Sequence, residues 1–508
     1  MQLSITKLNA KQGELNLTGN IMNNIEQTAE HRALSVVWMQ TRAAINGKLG
    51  VIALIDDVGC NSGYLGLIAP NANTNDPNYQ KKRQAYFSRG RFSNFTGRTH
   101  DSYLGLIGSK EAEVKLPSGI DGMNDDCDGG KTTLHDFSLA LASELLITAR
   151  AGILSEPPNT AGSTLNETTL PKLVMYKAEQ ILNPIMIDGE LVRVDLVEFY
   201  YNLNDSDEYE LEEQVRRLQL NGAGNYEAIV YRKGEVYSRV EAMVDGRPLK
   251  YIPFKFAGAE NNKASYDRPV MFDLAHQNIG HFQLDCEVRN NLHYHLNAVV
   301  NVFVSDATEF AKNNPAGFTV GADGRNVFQT DERAELMQME ANGAGPNQMK
   351  ADEAIMIMLG AQVVQQDRTN KTLGAEIIES NASMSQLKRI SINTSAAITQ
   401  ALEWCAEFAG ANPDNVEFKV NDKFVTDDMS IQDLVGMFNI VQGAGLPQSV
   451  LFNVARKAGF TEKENEELLQ EIEEEGMGGD SEEVAALKME LDNAKEQNES
   501  LQGRLNNG

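Results

Sequence analysis

Four places in this chain hold residues whose types and spacing could do chemistry. The first, Gly129-Gly130-Lys131-Thr132, has the ending of a phosphate-binding loop. That loop needs another glycine five residues before Gly130, so that backbone N–H groups can wrap an anion. Asp125 stands there instead, and Asp121, Asp126 and Asp128 add charge that repels phosphate. The second, Asn124-x-Asp126-x-Asp128-Gly129, opens like a calcium loop, but its twelfth position is His135 where a bidentate glutamate is required. The expectation is an acidic turn before a helix, with no metal and no cofactor. The third is a set of four of the seven histidines, His276, His281, His293 and His295, on one predicted helix. No two are four residues apart and no His-Glu-x-x-His occurs, so core or intersubunit hydrogen bonding is expected. The fourth interleaves Arg83, Arg89, Arg91 and Arg98 with Tyr86, Phe87, Phe92 and Phe95. Such a pattern can stack bases and neutralise phosphates, or it can be a helix with aromatics inward and arginines bridging to acidic neighbours. The second reading suits a chain of net charge −27. No Gly-x-Ser-x-Gly elbow and no cysteine–histidine signature is present, and Cys60, Cys127, Cys286 and Cys405 are widely spaced. Reduced thiols and no catalysis are expected; the chain does not read as an enzyme.

The 508 residues are 42% hydrophobic and 23% charged, ordinary for a folded chain with more than one core. No run approaches the ~20 apolar residues of a bilayer span, and residues 1–17 lack the apolar centre of a secretory signal. The acidity argues against wrapping nucleic acid, which needs cations to displace counterions. It is compatible with a protein that DNA passes without sticking.

The elements that must position these residues follow from periodicity. Residues 1–55 read as helical, with Ala29, Ala33, Val36, Val37 and Ala44 on one face, and 70–77 as a surface loop. An amphipathic helix is expected over 132–153 with Leu134, Phe137, Leu141, Leu145 and Ile153 inward. Strand alternation dominates 172–256, at 191–200, 226–231 and 236–244. Pro269 opens a long helix over 269–298, carrying Met271, Leu274, Ile279, Phe282, Cys286, Leu292 and Leu296. At 1.5 Å per residue it would be about 45 Å long, and with few partners in its own chain it is expected at subunit contacts. A Gly/Asn/Pro-rich stretch over 301–346 precedes a helix over 348–364. The polar turn 365–371 then leads to a second long helix over 372–409, with Ile377, Met384, Leu387, Ile398, Leu402 and Cys405 on its apolar side and Gly410 and Pro413 as stops. A strand over 416–425 and two short helices up to 475 precede a glycine hinge at 476–479. Beyond it, Val484, Leu487, Leu491, Ala494, Asn498, Leu501 and Leu505 form a 3-4 heptad seam, with Asp480 as a cap and Asn498 setting register. Glu483–Lys488 and Glu490–Lys495 pairing favours parallel self-association; a single solvated helix is the alternative.

Several segments carry a family likeness. Tyr86, Arg89, Phe92, Asn94, Thr96, Arg98 and Thr99 form one element. Asp128, Gly130, Leu134, Phe137, Arg150, Gly152, Ile153 and Leu154 form another. Tyr176-Lys177-Ala178-Glu179-Gln180-Ile181-Leu182-Asn183, the run from Ile252-Pro253-Phe254 to Asn278, and 418–475 with Gly445 and Gly459 complete the series. In this order, over most of 25–475, the chain resembles the portal proteins of tailed bacteriophages, and most of all a portal-like family catalogued as a domain of unknown function. The resemblance implies an α+β, portal-type ring subunit. Its parts would be a wing over 1–265, a first stem helix over 266–298, a clip over 299–345, a second stem helix over 346–364, a channel loop over 365–371, a long kinked helix and wing strand over 372–425, and a helical crown over 426–475. The heptad helix at 480–505, outside the likeness, would add an oligomerising tail. The resemblance further implies a homo-oligomer of about twelve copies at the portal vertex of the virion, assembled in host cytoplasm. Its partners would be a terminase large subunit, a head–tail adaptor protein and the major capsid protein. Double-stranded DNA would pass the loop residues Gln365, Gln366, Arg368, Asn370 and Lys371. A scaffold or tail-assembly protein oligomerising through its heptads is an alternative; a packaging enzyme is a weaker one, lacking a phosphate loop.

Overall fold

Thr28 starts the first helix, its hydroxyl accepting the His31 backbone N–H at 3.1 Å. The computed structural model describes residues 27–58, 77, 79–158, 170–203, 207–244, 246–296, 299–304, 306, 308–309, 312, 333–337, 343–360 and 373–424. The chain divides into two compact units, Met1–Asp422 and Lys423–Gly508. The expected crown at 426–475, the heptad tail with Val484, Leu487, Leu491, Asn498, Leu501 and Leu505, the loop 365–371 and Cys60 lie outside the described residues.

Helix α1 is Ala29–Ile45 and α2 is Gly47–Val58. Within the helical stretch expected over 1–55, the described residues form two helices, and Gly47, in the left-handed conformation (φ +73) that closes a helix, marks the break between them. Helices α3 (Tyr79–Arg89) and α4 (Phe95–Ile107) follow, the latter capped by Asn94, whose side chain accepts from Gly97 N at 2.9 Å. Strand β1 is Glu113–Lys115 and helix α5 is Leu134–Thr148. The helix expected over 132–153 stops at Thr148, where Ala149 turns left-handed (φ 58), and Arg150–Glu156 becomes strand β2. Ile153 is buried as expected, but from a strand. Strand β2 is the middle of a three-stranded antiparallel sheet between β3 (Lys172–Lys177) and β11 (Phe254–Gly258).

Between them lies a five-stranded antiparallel meander: β4 Ile181–Ile187, β5 Glu190–Leu203, β6 Tyr209–Leu220, β7 Tyr226–Arg232 and β8 Glu235–Glu241. Lys233-Gly234, both at positive φ (51 and 86), form the tight link between β7 and β8 that matches strand twist. Two-residue strands β9 (Met243–Val244) and β10 (Arg247–Pro248) pair beside it. Val194, Leu196, Leu218 and Tyr226 of the meander share a buried core with Leu154, Ile252, Phe254 and Phe256.

Helix α6 spans Phe272–Leu296. Its 25 residues make it about 37 Å long, shorter than expected. Its buried residues Ala275, Ile279, Phe282 and Cys286 pack in one cluster with Ala43, Ala44, Val51, Leu54, Tyr86 and Phe87. The expected shortage of intrachain partners is therefore corrected: the first four turns are covered by the chain itself, while Leu292 beyond them is 51% exposed. Strands β12 (Val299–Phe303) and β13 (Arg333–Met337) pair antiparallel. Helix α7 is Ala344–Met358; it does not run to 364, because Gly360 (φ +122) leaves helical geometry. Helix α8, Leu373–Phe408, agrees with the expected 372–409, and Leu387, Ile398, Leu402 and Cys405 are buried on it. The strand expected over 416–425 is shorter, β14 at Glu417–Lys419, and pairs with β1. Two α8 hydroxyls meet the outer edge of β14: Thr399 donates to Phe418 O at 3.2 Å and Ser395 accepts from Val420 N at 3.0 Å.

Candidate functional site

The acidic turn before α5 uses its own amides. Gly129 N donates to Asp126 at 2.7 Å and Gly130 N to Asp128 at 2.6 Å, while Thr132 donates its hydroxyl to Asp128 at 2.6 Å. Burial alone would raise the Asp128 carboxyl; hydrogen bonds from Thr132 and Gly130 outweigh it and hold the group below its ordinary value. Donors already committed to carboxylates cannot cradle phosphate. Among the described residues no group of three or more potential metal ligands converges. Cys127, Cys286 and Cys405 are unpaired and buried, and burial pushes each thiol up to about 12, so none is a ready nucleophile.

Of the four histidines, the His295 side chain lies outside the described residues, and His276, His281 and His293 stand in different surroundings. His281 is buried on α6 with its Nε2 3.5 Å from Glu353 of α7, and neither ring nitrogen has a hydrogen-bond partner among the described residues. His276 lies against Phe272, ring centroids 5.7 Å apart, and His293 is exposed. The basic aromatic stretch turns its rings inward. Tyr86 and Phe87 are core, Phe92 meets Phe282 edge-on at 5.5 Å, and Arg83 sits over the Phe87 ring at 5.0 Å. Rings so placed cannot stack bases. Arg89 donates to an amide, Asn290 Oδ1, at 2.9 Å, and Asp285 accepts the backbone N–H of Arg91 at 2.9 Å.

Joining residues tie these helices together. Asn278, fully buried on α6, accepts from the Thr96 backbone N–H (3.1 Å) and hydroxyl (3.0 Å), and donates to Ser93 O at 2.8 Å. It thus locks the α3–α4 turn onto α6. Arg42 of α1 is held between Glu144 and Glu179; burial opposes its charge, and the two carboxylates more than restore it. Gly152 lies under the Phe254 ring, where any side chain would collide. The family-like elements therefore mark packing positions. Periodicity had no means of flagging Asn278, a polar residue at a core position.

Helices α6 and α7 form an antiparallel pair. Gly345 lies against Val288 and Glu353 against His281, so one index falls as the other rises. The antiparallel strands β12 and β13 follow α6 and precede α7. Tyr103 of α4 donates to Gly360 O at 3.2 Å, fixing the chain where it leaves α7. The expected loop residues Gln365, Gln366, Arg368, Asn370 and Lys371 follow and lie outside the described residues. A groove of about 410 Å³ between α8 and β14 is lined by Ile392, Thr399, Glu403, Phe418 and Lys419. It presents two carboxylates, Glu403 and Asp422, and one amine on an open surface; Lys419 pairs with Asp422 at 3.3 Å and Glu403 accepts from Gln400 at 2.7 Å, so its charged groups are engaged by their own neighbours.

A family described as Domain of unknown function (DUF4055) matches residues 270–409, the segment from α6 to the end of α8. The match is narrower than the likeness expected over 25–475. No curated protein matches the chain. Among solved structures, a chain of the virion of a native gene transfer agent particle overlays at TM-score 0.40 with 11% identity, covering 72% of this chain and 92% of that one. A chain of the neck of an empty gene transfer agent particle, computed with C6 symmetry, overlays at 0.38 with 11% identity, covering 71% and 88%. Scores of this size leave function to be argued from the chain itself.

Proposed function

We propose that this chain is a portal subunit: one of about twelve copies in a closed ring at a single vertex of a tailed-phage-type head, through which DNA enters and leaves. The observation that carries the reading is the order α6, the antiparallel strand pair β12–β13, α7 and the long α8. This order fits a stem that passes out to a clip and back. The family match covers this same run, and its family carries no assigned function. In this reading the clip over 299–345 receives the terminase and later the head–tail adaptor, while wing and crown face the major capsid protein and capsid interior. Gln365, Gln366, Arg368, Asn370 and Lys371 approach the passing duplex. Amides and sparse cations touch phosphates briefly, whereas a dense basic ring would hold DNA, since each neutralised phosphate adds affinity. The protein itself hydrolyses neither ATP nor DNA in this reading; a separate motor does.

Native mass together with negative-stain images of the full chain tests the reading. A closed ring with a central hole is expected. A monomer at micromolar concentration in physiological salt would overturn it.

A further inference from the structure

The β5–β6 hairpin runs past the packed part of the meander. Antiparallel register places Phe199 opposite Glu213, Tyr201 opposite Leu211 and Leu203 opposite Tyr209, so these six residues share one face. On that face Phe199 is 40% exposed, Tyr201 57%, Leu203 51% and Tyr209 73%, and Tyr201 and Tyr209 touch edge-on at 6.4 Å. A contiguous exposed apolar face of this kind marks a protein contact. Within it stands Glu213, half-buried, with no cation or hydrogen-bond donor facing its carboxylate among the described residues. Burial holds that carboxyl above its ordinary value. A surface that covered these rings would strand the charge unless it brought a cation. Nucleic acid is the wrong occupant, because its phosphates would meet Glu213.

The same chain carries a surface of the required chemistry. Residues 79–98 contain six Lys or Arg and no Asp or Glu, in a protein with 72 acidic and 45 basic residues. Arg91 and Arg98 flank the Asn94 cap of α4, and both are exposed. No carboxylate pairs with either guanidinium among the described residues. Aromatic rings beside a carboxylate on one surface, and free guanidinium groups on another, are complementary in charge and also in cation–π contact.

We infer that the apolar face of the β5–β6 hairpin, centred on Glu213, docks on the Arg91–Arg98 surface of a second copy of this chain. The two patches are different surfaces, so the contact is head-to-tail, the kind that closes into a ring when the rotation closes. The inference rests on the ring reading above and names the contact that builds the ring.

The test follows assembly of the full chain by sedimentation velocity across a concentration series. Tyr201→Ser with Tyr209→Ser, Glu213→Arg, and Arg91→Glu with Arg98→Glu should each raise the half-assembly concentration at least tenfold. Combining Glu213→Arg with Arg98→Glu should recover most of the loss, which mere damage to the fold cannot do. Thermal melts monitor folding; if Glu213→Arg melts early, Glu213→Gln removes the charge at constant shape and should show a smaller shift in the same direction. Wild-type rings with unchanged assembly in all variants would overturn the inference and leave the ring reading standing. A monomeric wild type overturns both. Loss of affinity for a 30-base-pair duplex probe by the arginine variants, with assembly intact, would assign that surface to DNA and overturn the inference.

Discussion

Along β5 and β6 a single sheet face changes character halfway. In the packed half, Asp195 is fully buried and receives Arg217 at 2.7 Å and Arg193 at 2.9 Å, while Val197, Val215 and Ile229 are almost completely covered. In the outer half, Phe199, Tyr201, Leu203 and Tyr209 stand in solvent beside Glu213, whose carboxylate meets no cation or donor among the described residues. Among the described residues the same strands thus carry one carboxylate that is satisfied and one that is not. The packed half settles the fold of one copy; the outer half, contributing little to that fold, is available to another. A charge left unpaired among exposed rings points to a surface shaped by something beyond the subunit.

Leu218→Ala should give the largest effect, since Leu218 is fully buried behind the packed half. A loss of about 3 kcal/mol is expected in urea unfolding. A change under about 1 kcal/mol would mean that this half is not the anchor. Arg217→Ala comes next, at about 2 kcal/mol, because Asp195 loses one partner and keeps Arg193. Equal losses for Arg217→Ala and Arg193→Ala would show that the ion pairs are shared evenly, against the closer contact seen for Arg217. A smaller effect comes from Glu213, whose folded carboxyl titrates above its unfolded one because of burial. A raised acid stabilises the fold when protonated. Its contribution is full below the unfolded value and fades as pH rises through the folded one. The unassembled chain should gain stability from this group as pH falls toward about 4.5, and Glu213→Gln should flatten that gain. In the assembled protein a facing cation should abolish the dependence, which sharpens the contrast between the halves. Smallest of all, Tyr201→Ser with Tyr209→Ser should leave subunit stability within about 0.5 kcal/mol. A larger loss would place these rings in the fold of a single copy.

Helix α8 was legible because Leu387, Ile398, Leu402 and Cys405 recur at helical spacing and Gly410 ends the run. Helix α6 was legible for the same reason, but its partners were not. Tyr86 and Phe87 sit in a segment whose arginines also suited a nucleic-acid surface, and only packing against Phe282 and Cys286 decides between the two. The misread boundary at 148–150 has a local cause. The short apolar run Ala151 to Leu154 satisfies helix and strand alike, and the switch lies in Ala149 and in the Thr148 hydroxyl, which donates to Arg150 O at 2.7 Å. Strand β6 escaped notice because charge stands on both of its faces. Arg216 reaches Glu156 at 2.7 Å on one side and Arg217 reaches Asp195 on the other, so the strand shows no clean alternation. The candidate contact residues were partly visible, as Phe199 fell near the end of an expected strand. Glu213 gave no signal, since a carboxylate in an acidic chain is informative only once its neighbours are known.

Ser395 and Thr399 have a consequence for the company this protein keeps. Among the described residues strand β14 is paired with β1 on one side only, and a bare strand edge invites any extended chain to add to it. The hydroxyls of α8 occupy the Phe418 carbonyl and the Val420 amide that such a chain would need. A helix is thereby a sealed border for the sheet, where other proteins place lysine or proline in the strand itself. Copies of this chain crowded together are thus denied one route to fibrous misassembly.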